Sequence, residues 1–258
     1  MNFKKLAIMQ PYFFPYIGYF QLMNAVDEFV IYDNIEFTKK GWINRNRILA
    51  NKKDIFITIP LKKDSDHLDV RDRYLADSWS SERVKMMNRI KEYYRKAPQL
   101  ELVYPVIKKC ILFEENNLFN FILNSLNQVK EYLEIRTPLV ISSNICIDHA
   151  LKAEKKVIDI CKARKADMYV NPIGGIQLYE KDEFKKKGIE LYFLKTNDFR
   201  YMQLSNDFIP FLSILDVMMF NSKEEIKEYL KSFYTLIQKD DFSDAQTVLK
   251  LDMENNDV

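Results

Sequence analysis

The residues best equipped for chemistry gather in short stretches, first Gln10, Tyr12, Tyr16, Gly18 and Tyr19, then Trp42, Arg45, Asn46 and Arg47. A guanidinium is a rigid fork of donors that matches a phosphate or carboxylate, and arginines two apart face the same way if their segment is a strand. Lys39 and Lys40 add positive charge beside them, and the Trp42 indole offers a face for a ring or a cation. An isolated Arg-x-Arg reads as an exposed basic loop; the adjoining indole adds weight to the other reading, a grip for an anion that carries a ring, and both stay open. A nucleotide sugar supplies both parts, a diphosphate and a base.

Further along, Asp33 closes an apolar run, where a carboxylate serves as a general base, as an acceptor for a sugar hydroxyl or amine, or as a turn former. Asp216 lies inside the apolar stretch 212–220 and must find a partner there, because burying an unpaired charge is costly. Arg45, Arg47 and Lys195 are the cations to hand, with Ser213 nearby, and a structural ion pair accounts for Asp216 as well as catalysis does. Ser142 and Ser143 suit a phosphate or, more commonly, the cap of a following helix. Gly174 and Gly175 permit a tight turn or a close approach of backbone to ligand, and Gln203 can orient an amide or hydroxyl. His67 and His149, the two histidines, fall in no recognisable triad, and Cys146 between Ile145 and Ile147 reads as core packing.

The elements that must position these groups follow from hydrophobic period and punctuation. Apolar runs at 6–9, 28–33 and 54–60, with a helix over 16–25, predict a parallel, Rossmann-like α/β sheet. Helices over 80–95, 100–110 and 118–133 make a helical layer spanning about 78–133, the first capped by Ser78 or Ser80. A strand over 137–143, a helix over 150–165 with an apolar stripe at Val157, Ile160 and Cys161, a strand over 167–171, a short helix over 180–187 and a strand over 189–193 continue the alternation. An amphipathic helix over 222–238 completes one domain, 1–238, and 239–258 reads as a flexible polar tail. In open parallel sheets ligands sit beyond the carboxyl ends of the strands. That rule gathers 10–19, 33–34, 142–143 and 171–175 around one cleft, with Asp33 as the base and Tyr19 and Gln10 as hydrogen-bonding orienters.

The turn after the first strand has the position and shape of the His-x-Gly-His turn of nucleotidylyltransferases and class I aminoacyl-tRNA synthetases, a HUP-like arrangement, with Tyr16 and Tyr19 in place of both histidines. A phenol stays neutral at pH 7, so histidine-type nucleotidylyl transfer is not expected, whereas phosphate binding at Gly18 and the helix N-terminus is compatible with it. On a larger scale, the strings MQPYFFPYIGY (9–19), KGWINRNR (40–47), ISS (141–143), YVNPIGGIQLY (169–179), YMQ (201–203) and FIPFLSILD (208–216), with the strand end at Asp33, resemble the WbqC-like family. The resemblance covers nearly the whole chain up to about residue 230, and its N-terminal block is the specific part.

That family is found in bacterial gene clusters for surface polysaccharide and O-antigen. The resemblance implies a transferase that adds a glycyl or other aminoacyl or acyl group to an amino sugar, one that is nucleotide-linked. Amide formation needs an activated donor, an aminoacyl-tRNA or an ATP-derived acyl adenylate, and both stay open. The competing reading is a non-catalytic nucleotide-sugar-binding or scaffold protein of the same pathway: the replaced histidines favour it, and the concentration of polar groups at one edge opposes it.

Composition narrows the classes. A content of 47% apolar residues is ample for a core, and a net charge of +2 is too near zero to argue by itself for a nucleic-acid or membrane surface. Cys110, Cys146 and Cys161 lie far apart without metal spacing, as reduced thiols of a cytoplasmic protein would. No run approaches the ~20 apolar residues of a membrane span, and the start lacks a secretory core.

Overall fold

The computed structural model describes residues 3–204 and 207–241. The chain opens with β1 (Lys5–Met9), α1 (Ile17–Ala25) and β2 (Glu28–Ile31). Leu6, Ile8 and Val30 pack on one side of these strands, and Ala7, Phe29 and Ile31 on the other. Strands apolar on both faces must be covered on both, as the expected α/β sheet requires.

β3 (Arg45–Ala50) and β4 (Lys53–Thr58) follow. The expected strand over 54–60 does not join the main sheet: β4 pairs antiparallel with β3 in a sheet of two strands. Asn51 and Lys52 form the turn at φ 50° and 68°, a left-handed pair that suits a tight hairpin, whereas a parallel crossover needs a dozen or more residues.

The helical layer is α2 (Trp79–Tyr93), α3 (Leu100–Ile111) and α4 (Leu118–Tyr132). Met86 and Ile90, Val103 and Ile107, and Leu118 and Ile122 turn into the same core as α1 at helical spacing. Ser78 and Ser80 do not cap α2: their side chains accept no amide, and Ser80 Oγ donates to the Asp77 carbonyl instead.

β5 (Leu139–Ile141), α5 (Ala153–Ala163), β6 (Met168–Pro172), a 3-10 turn (Ile173–Leu178), α6 (Lys181–Lys185) and β7 (Glu190–Thr196) come next, then α7 (Ile214–Phe220), α8 (Lys223–Ser232) and β8 (Tyr234–Ile237). α5 and α6 cover one face of the main sheet through Val157, Ile160, Cys161 and Phe184. The sheet has six strands in the order β5-β2-β1-β6-β7-β8, all parallel except β8. Strand order reverses between β1 and β6, the place where such sheets open a crevice.

The helix expected over 222–238 ends at Ser232, and the chain returns as β8. Buried Gln21 donates to the carbonyls of Tyr229 and Phe233 at 2.9 and 3.0 Å, and the Phe233 carbonyl also accepts the Asn197 amide, so the chain at the end of α8 is tied to α1 and to the exit of β7. Of the expected polar tail, Lys239–Asp241 is a 3-10 turn held where Lys239 donates to the Tyr179 carbonyl; the remainder lies outside the described residues. No described helix is long and apolar enough to cross a membrane.

Candidate active site

The carboxyl ends of β5, β2, β1 and β6 lie side by side, as the order of the sheet dictates. Two residues past β2, Asp33 is 2% exposed. Its Oδ1 accepts from Ser142 Oγ and from the Ser143 amide, both at 2.9 Å. That amide is presented by the 3-10 turn Ser142–Asn144 after β5, so Ser142 and Ser143 fix a carboxylate rather than cap a helix. No hydrogen bond reaches Asp33 Oδ2 among the described residues, which leaves one oxygen oriented and the other unpartnered.

Ser142 Oγ also meets Asn34 Oδ1, and Asn34 Nδ2 pairs with His149 Nδ1 at 2.9 Å. His149 Nε2 lies 3.0 Å from the Ile145 carbonyl, which can only accept, so the Nε2–H tautomer completes the chain of bonds. The imidazole therefore belongs to the support of Asp33, an assignment its position in the sequence did not suggest.

Lys156 is the second group that sequence reasoning missed. It projects from α5, is 5% exposed, and donates to the Asn34 carbonyl over a long 3.4 Å, with its ammonium 5.0 Å from the Tyr32 ring centroid. No carboxylate lies within ion-pair distance of it among the described residues. Burial lowers its pKa from the ordinary value, against the opposing pull of Asp69 and Asp33. Asp69, which Arg71 approaches to 3.5 Å, has its own carboxyl raised by burial, an effect Arg71 opposes. The Tyr32 phenol is pushed up to about 12 by burial, then by Tyr179 and Asp69. An ammonium with most of its donors unused, between two acids, is suited to hold a carbonyl, carboxylate or phosphoryl oxygen. The signal was in the spacing: Lys156 is four residues before Ile160 and so lies on the apolar face of α5.

The aromatic turn has a more structural character than its sequence suggests. Tyr19 is 1% exposed, and its hydroxyl donates to the Gln10 carbonyl at 3.0 Å, so it shapes the turn instead of orienting a ligand. A Cβ on Gly18 would fall 2.4 Å from the Tyr16 ring, so Gly18 makes room for that ring at the start of α1, where a phosphate was expected. Tyr12 packs against Tyr19 with centroids 5.9 Å apart, and burial, then Tyr16, pushes its phenol up to about 12. Gln10 is half-buried, and its side-chain amide makes no hydrogen bond among the described residues. Gly175 has an analogous role to Gly18, since a Cβ there would lie 2.1 Å from Asn171 Nδ2, while Gly174 is exposed.

Arg45 and Arg47 share a face of β3, but each guanidinium is engaged. Arg45 donates to the carbonyls of Gly41 and Lys40 at 3.1 and 2.6 Å and lies over Phe56; Arg47 donates to Asp54 at 3.1 Å and lies over Trp42. Asn46 points to the buried side and bonds the Phe13 carbonyl. Asp216 takes no cation among the described residues. Tyr94, Tyr201 and Gln203 donate to it at 2.8, 2.7 and 2.8 Å, and burial raises its pKa despite those three bonds. The expected pairing with Arg45, Arg47 or Lys195 fails because β3 turns both arginines to the half-exposed face, while Lys195 is exposed on β7. Cys146, expected in the core, is exposed, whereas Cys110 and Cys161 are buried. Among the described residues no group of His, Cys, Asp and Glu could hold a metal ion.

Comparison with known proteins places the chain in a family. The chain is 31% identical over 235 residues to the uncharacterized protein Rv1507c of Mycobacterium tuberculosis, covering 88% of this chain and 98% of that one. No solved structure matches the chain significantly. The model of the WbqC-like protein family matches residues 10–228, and the chain belongs to that family.

Proposed function

We propose that this protein is a transferase of surface-polysaccharide synthesis that moves a glycyl or related acyl group onto the amine of a nucleotide-linked amino sugar. The observation that carries the reading is Asp33, with Oδ1 fixed by Ser142 and Ser143 and Oδ2 without a partner, at the strand ends beside the unpaired Lys156. Asp33 Oδ2 takes a proton from the acceptor ammonium, and the freed amine attacks the activated acyl carbon. The C–N bond forms as the carbonyl π pair moves to oxygen, and the Lys156 ammonium donates to that developing oxyanion. The oxyanion re-forms the carbonyl, and the bond to the leaving oxygen breaks. An adenylate leaves as the phosphate anion, a tRNA ester as the ribose hydroxyl after taking the proton held by Asp33; the amine's second proton goes to solvent.

The sealed hydroxyl of Tyr19 favours a second reading, a nucleotide-sugar-binding protein that performs no transfer. Incubation with a panel of nucleotide-linked amino sugars, with glycine plus ATP in one arm and glycyl-tRNA in the other, separates the two by mass spectrometry. A protein-dependent glycyl mass increase is the expected result; measurable sugar binding with no product in either arm supports the binding protein.

A further inference from the structure

The net charge of +2 conceals a local excess. Between Lys39 and Lys63 the chain holds six lysines and two arginines against the single acid Asp54, so the rest of the chain is net acidic. All six lysines are exposed. The segment is the β3–β4 hairpin with its flanks, which puts Lys52 and Lys53 at the turn and the other four lysines at the opposite end. Six strand residues at about 3.3 Å each separate those ends by about 20 Å.

The ground between them is aromatic. Arg45 lies 4.7 Å over the Phe56 centroid, Arg47 lies 5.7 Å over that of Trp42, and the two rings are 6.0 Å apart at 31°. These side chains are half-exposed, while Ile48 and Ile57 on the other face are buried. Half-open rings braced by guanidiniums, flanked by ammonium groups, have the make-up of a platform on which bases stack while phosphates meet cations. The phosphates of one nucleotide cluster at one end of one base and would leave the far lysines idle, so the length favours a strand over a free nucleotide sugar. In a duplex the base faces are already stacked, which favours unpaired nucleic acid. The Lys39–Asp66 and Lys62–Asp77 pairs, at 2.7 and 3.0 Å, are exposed and readily exchanged for phosphate.

The hairpin is also tied to the loop that leaves β1: the Phe13 amide donates to the Ile43 carbonyl at 3.0 Å, and Asn46 Nδ2 to the Phe13 carbonyl at 3.3 Å. The platform is therefore carried by a hairpin whose opposite, Asn46 side is anchored to the turn that follows Gln10. We infer that the β3–β4 hairpin binds single-stranded RNA, and that in the transfer reaction it docks the unpaired 3′ end of an aminoacyl-tRNA donor. The identity of that RNA rests on the transfer reading; the binding itself does not.

The test is fluorescence anisotropy of a labelled single-stranded RNA ending in CCA, over a salt series, against a matching duplex and a uridine diphosphate amino sugar as competitor. Binding of the single strand that falls steeply with salt, in preference to the duplex, is expected. Lys40→Gln with Lys53→Gln, which changes only exposed ends, should lower the slope of log K against log salt by about 1.4, at roughly 0.7 for each phosphate contact in a single strand. Trp42→Leu should weaken binding about fivefold or more while leaving the slope in place, because it removes stacking alone. Circular dichroism establishes that both variants are folded. Equal binding by folded variants, a preference for the duplex, or displacement of all bound RNA by the sugar nucleotide at equimolar concentration overturns the proposal. RNA binding without glycyl transfer supports the surface and counts against the transfer reading; glycyl transfer from glycine and ATP without RNA binding does the reverse.

Discussion

Asp33 and Asp216 are both withdrawn from water, 2% and 0% exposed, and they are held in opposite ways. Asp216 is enclosed by three donors that use both of its oxygens, all from neutral groups, on a helix packed into the core. Asp33 sits past a strand end with one oxygen fixed by a hydroxyl and a backbone amide, and the other has no partner among the described residues. A carboxylate whose bonds are all made internally joins segments, here linking α2 through Tyr94 to the 201–216 region. A carboxylate half-fixed and half-available is suited to take a proton from something that is not part of the chain.

The largest expected effect breaks that comparison on the open side. Asn at position 33 keeps an oxygen for Ser142 and the Ser143 amide but accepts no proton, so Asp33→Asn should cut glycyl transfer about 10²- to 10⁴-fold with an unchanged melting temperature. Unaltered turnover would take Asp33 out of the mechanism. Lys156→Met tests its neighbour: loss of an oxyanion donor should slow turnover about 10²-fold. Because burial disfavours the Lys156 charge and no carboxylate among the described residues pairs with it, the same change should leave stability equal or higher, a combination that a purely structural lysine would not give. Asp216→Ala acts on the closed side, leaving three buried donors without an acceptor. A stability loss of about 3 kcal/mol by urea unfolding is expected from the 1–3 kcal/mol that each such orphan costs, and a loss below about 1 kcal/mol would mean the network re-forms without it.

How far these roles were legible follows from the kind of information each needs. The alternation of Leu6, Ala7 and Ile8 or Phe29, Val30 and Ile31 writes a sheet covered on both faces directly into the sequence, and the clustering of Asp33 with Ser142 follows from strand ends alone. The β3–β4 hairpin was not legible because its turn uses Asn51-Lys52 where Asn-Gly would have announced it, so the run 54–60 read as part of the main sheet and the Arg45–Arg47 segment only as a conditional strand. Lys156 was hidden because a single lysine in a charged helix looks like solvent-facing polarity until its register against Ile160 is followed. The partners of Asp216 were mistaken for a different reason. Sequence supplies cations by count, while the fold supplied Tyr94 from 122 residues away, and hydrogen-bond donors without charge carry no signal of their destination. Net charge, which leaves local basic patches open, is silent on the hairpin because it averages that segment with an acidic remainder.

The smallest effect is the sharpest on the comparison, because its sign tells whether burial or the three hydrogen bonds govern the enclosed acid. Burial raises the Asp216 pKa above its ordinary value, with Tyr201, Tyr94 and Gln203 opposing but not cancelling it. The folded protein therefore holds this proton more tightly than the unfolded chain does. Its contribution to stability is fully present below the unfolded pKa of about 3.9 and is lost as pH rises through the raised folded value. Glu28 behaves oppositely: burial pushes its pKa up, but the Arg164 and Lys4 bonds outweigh burial and hold it below the ordinary range, so its contribution is present above the unfolded pKa and lost in acid. Urea unfolding of the wild type and Asp216→Asn across pH 4 to 7 cancels Glu28 and every other shared group. The wild-type advantage over the variant should shrink as pH rises, by about 1.4 kcal/mol for each pKa unit that separates the folded from the unfolded acid. An advantage that grew with pH would mean that the three hydrogen bonds outweigh burial and hold Asp216 as an anion, and the distinction between the closed carboxylate and the open one would have to be drawn again.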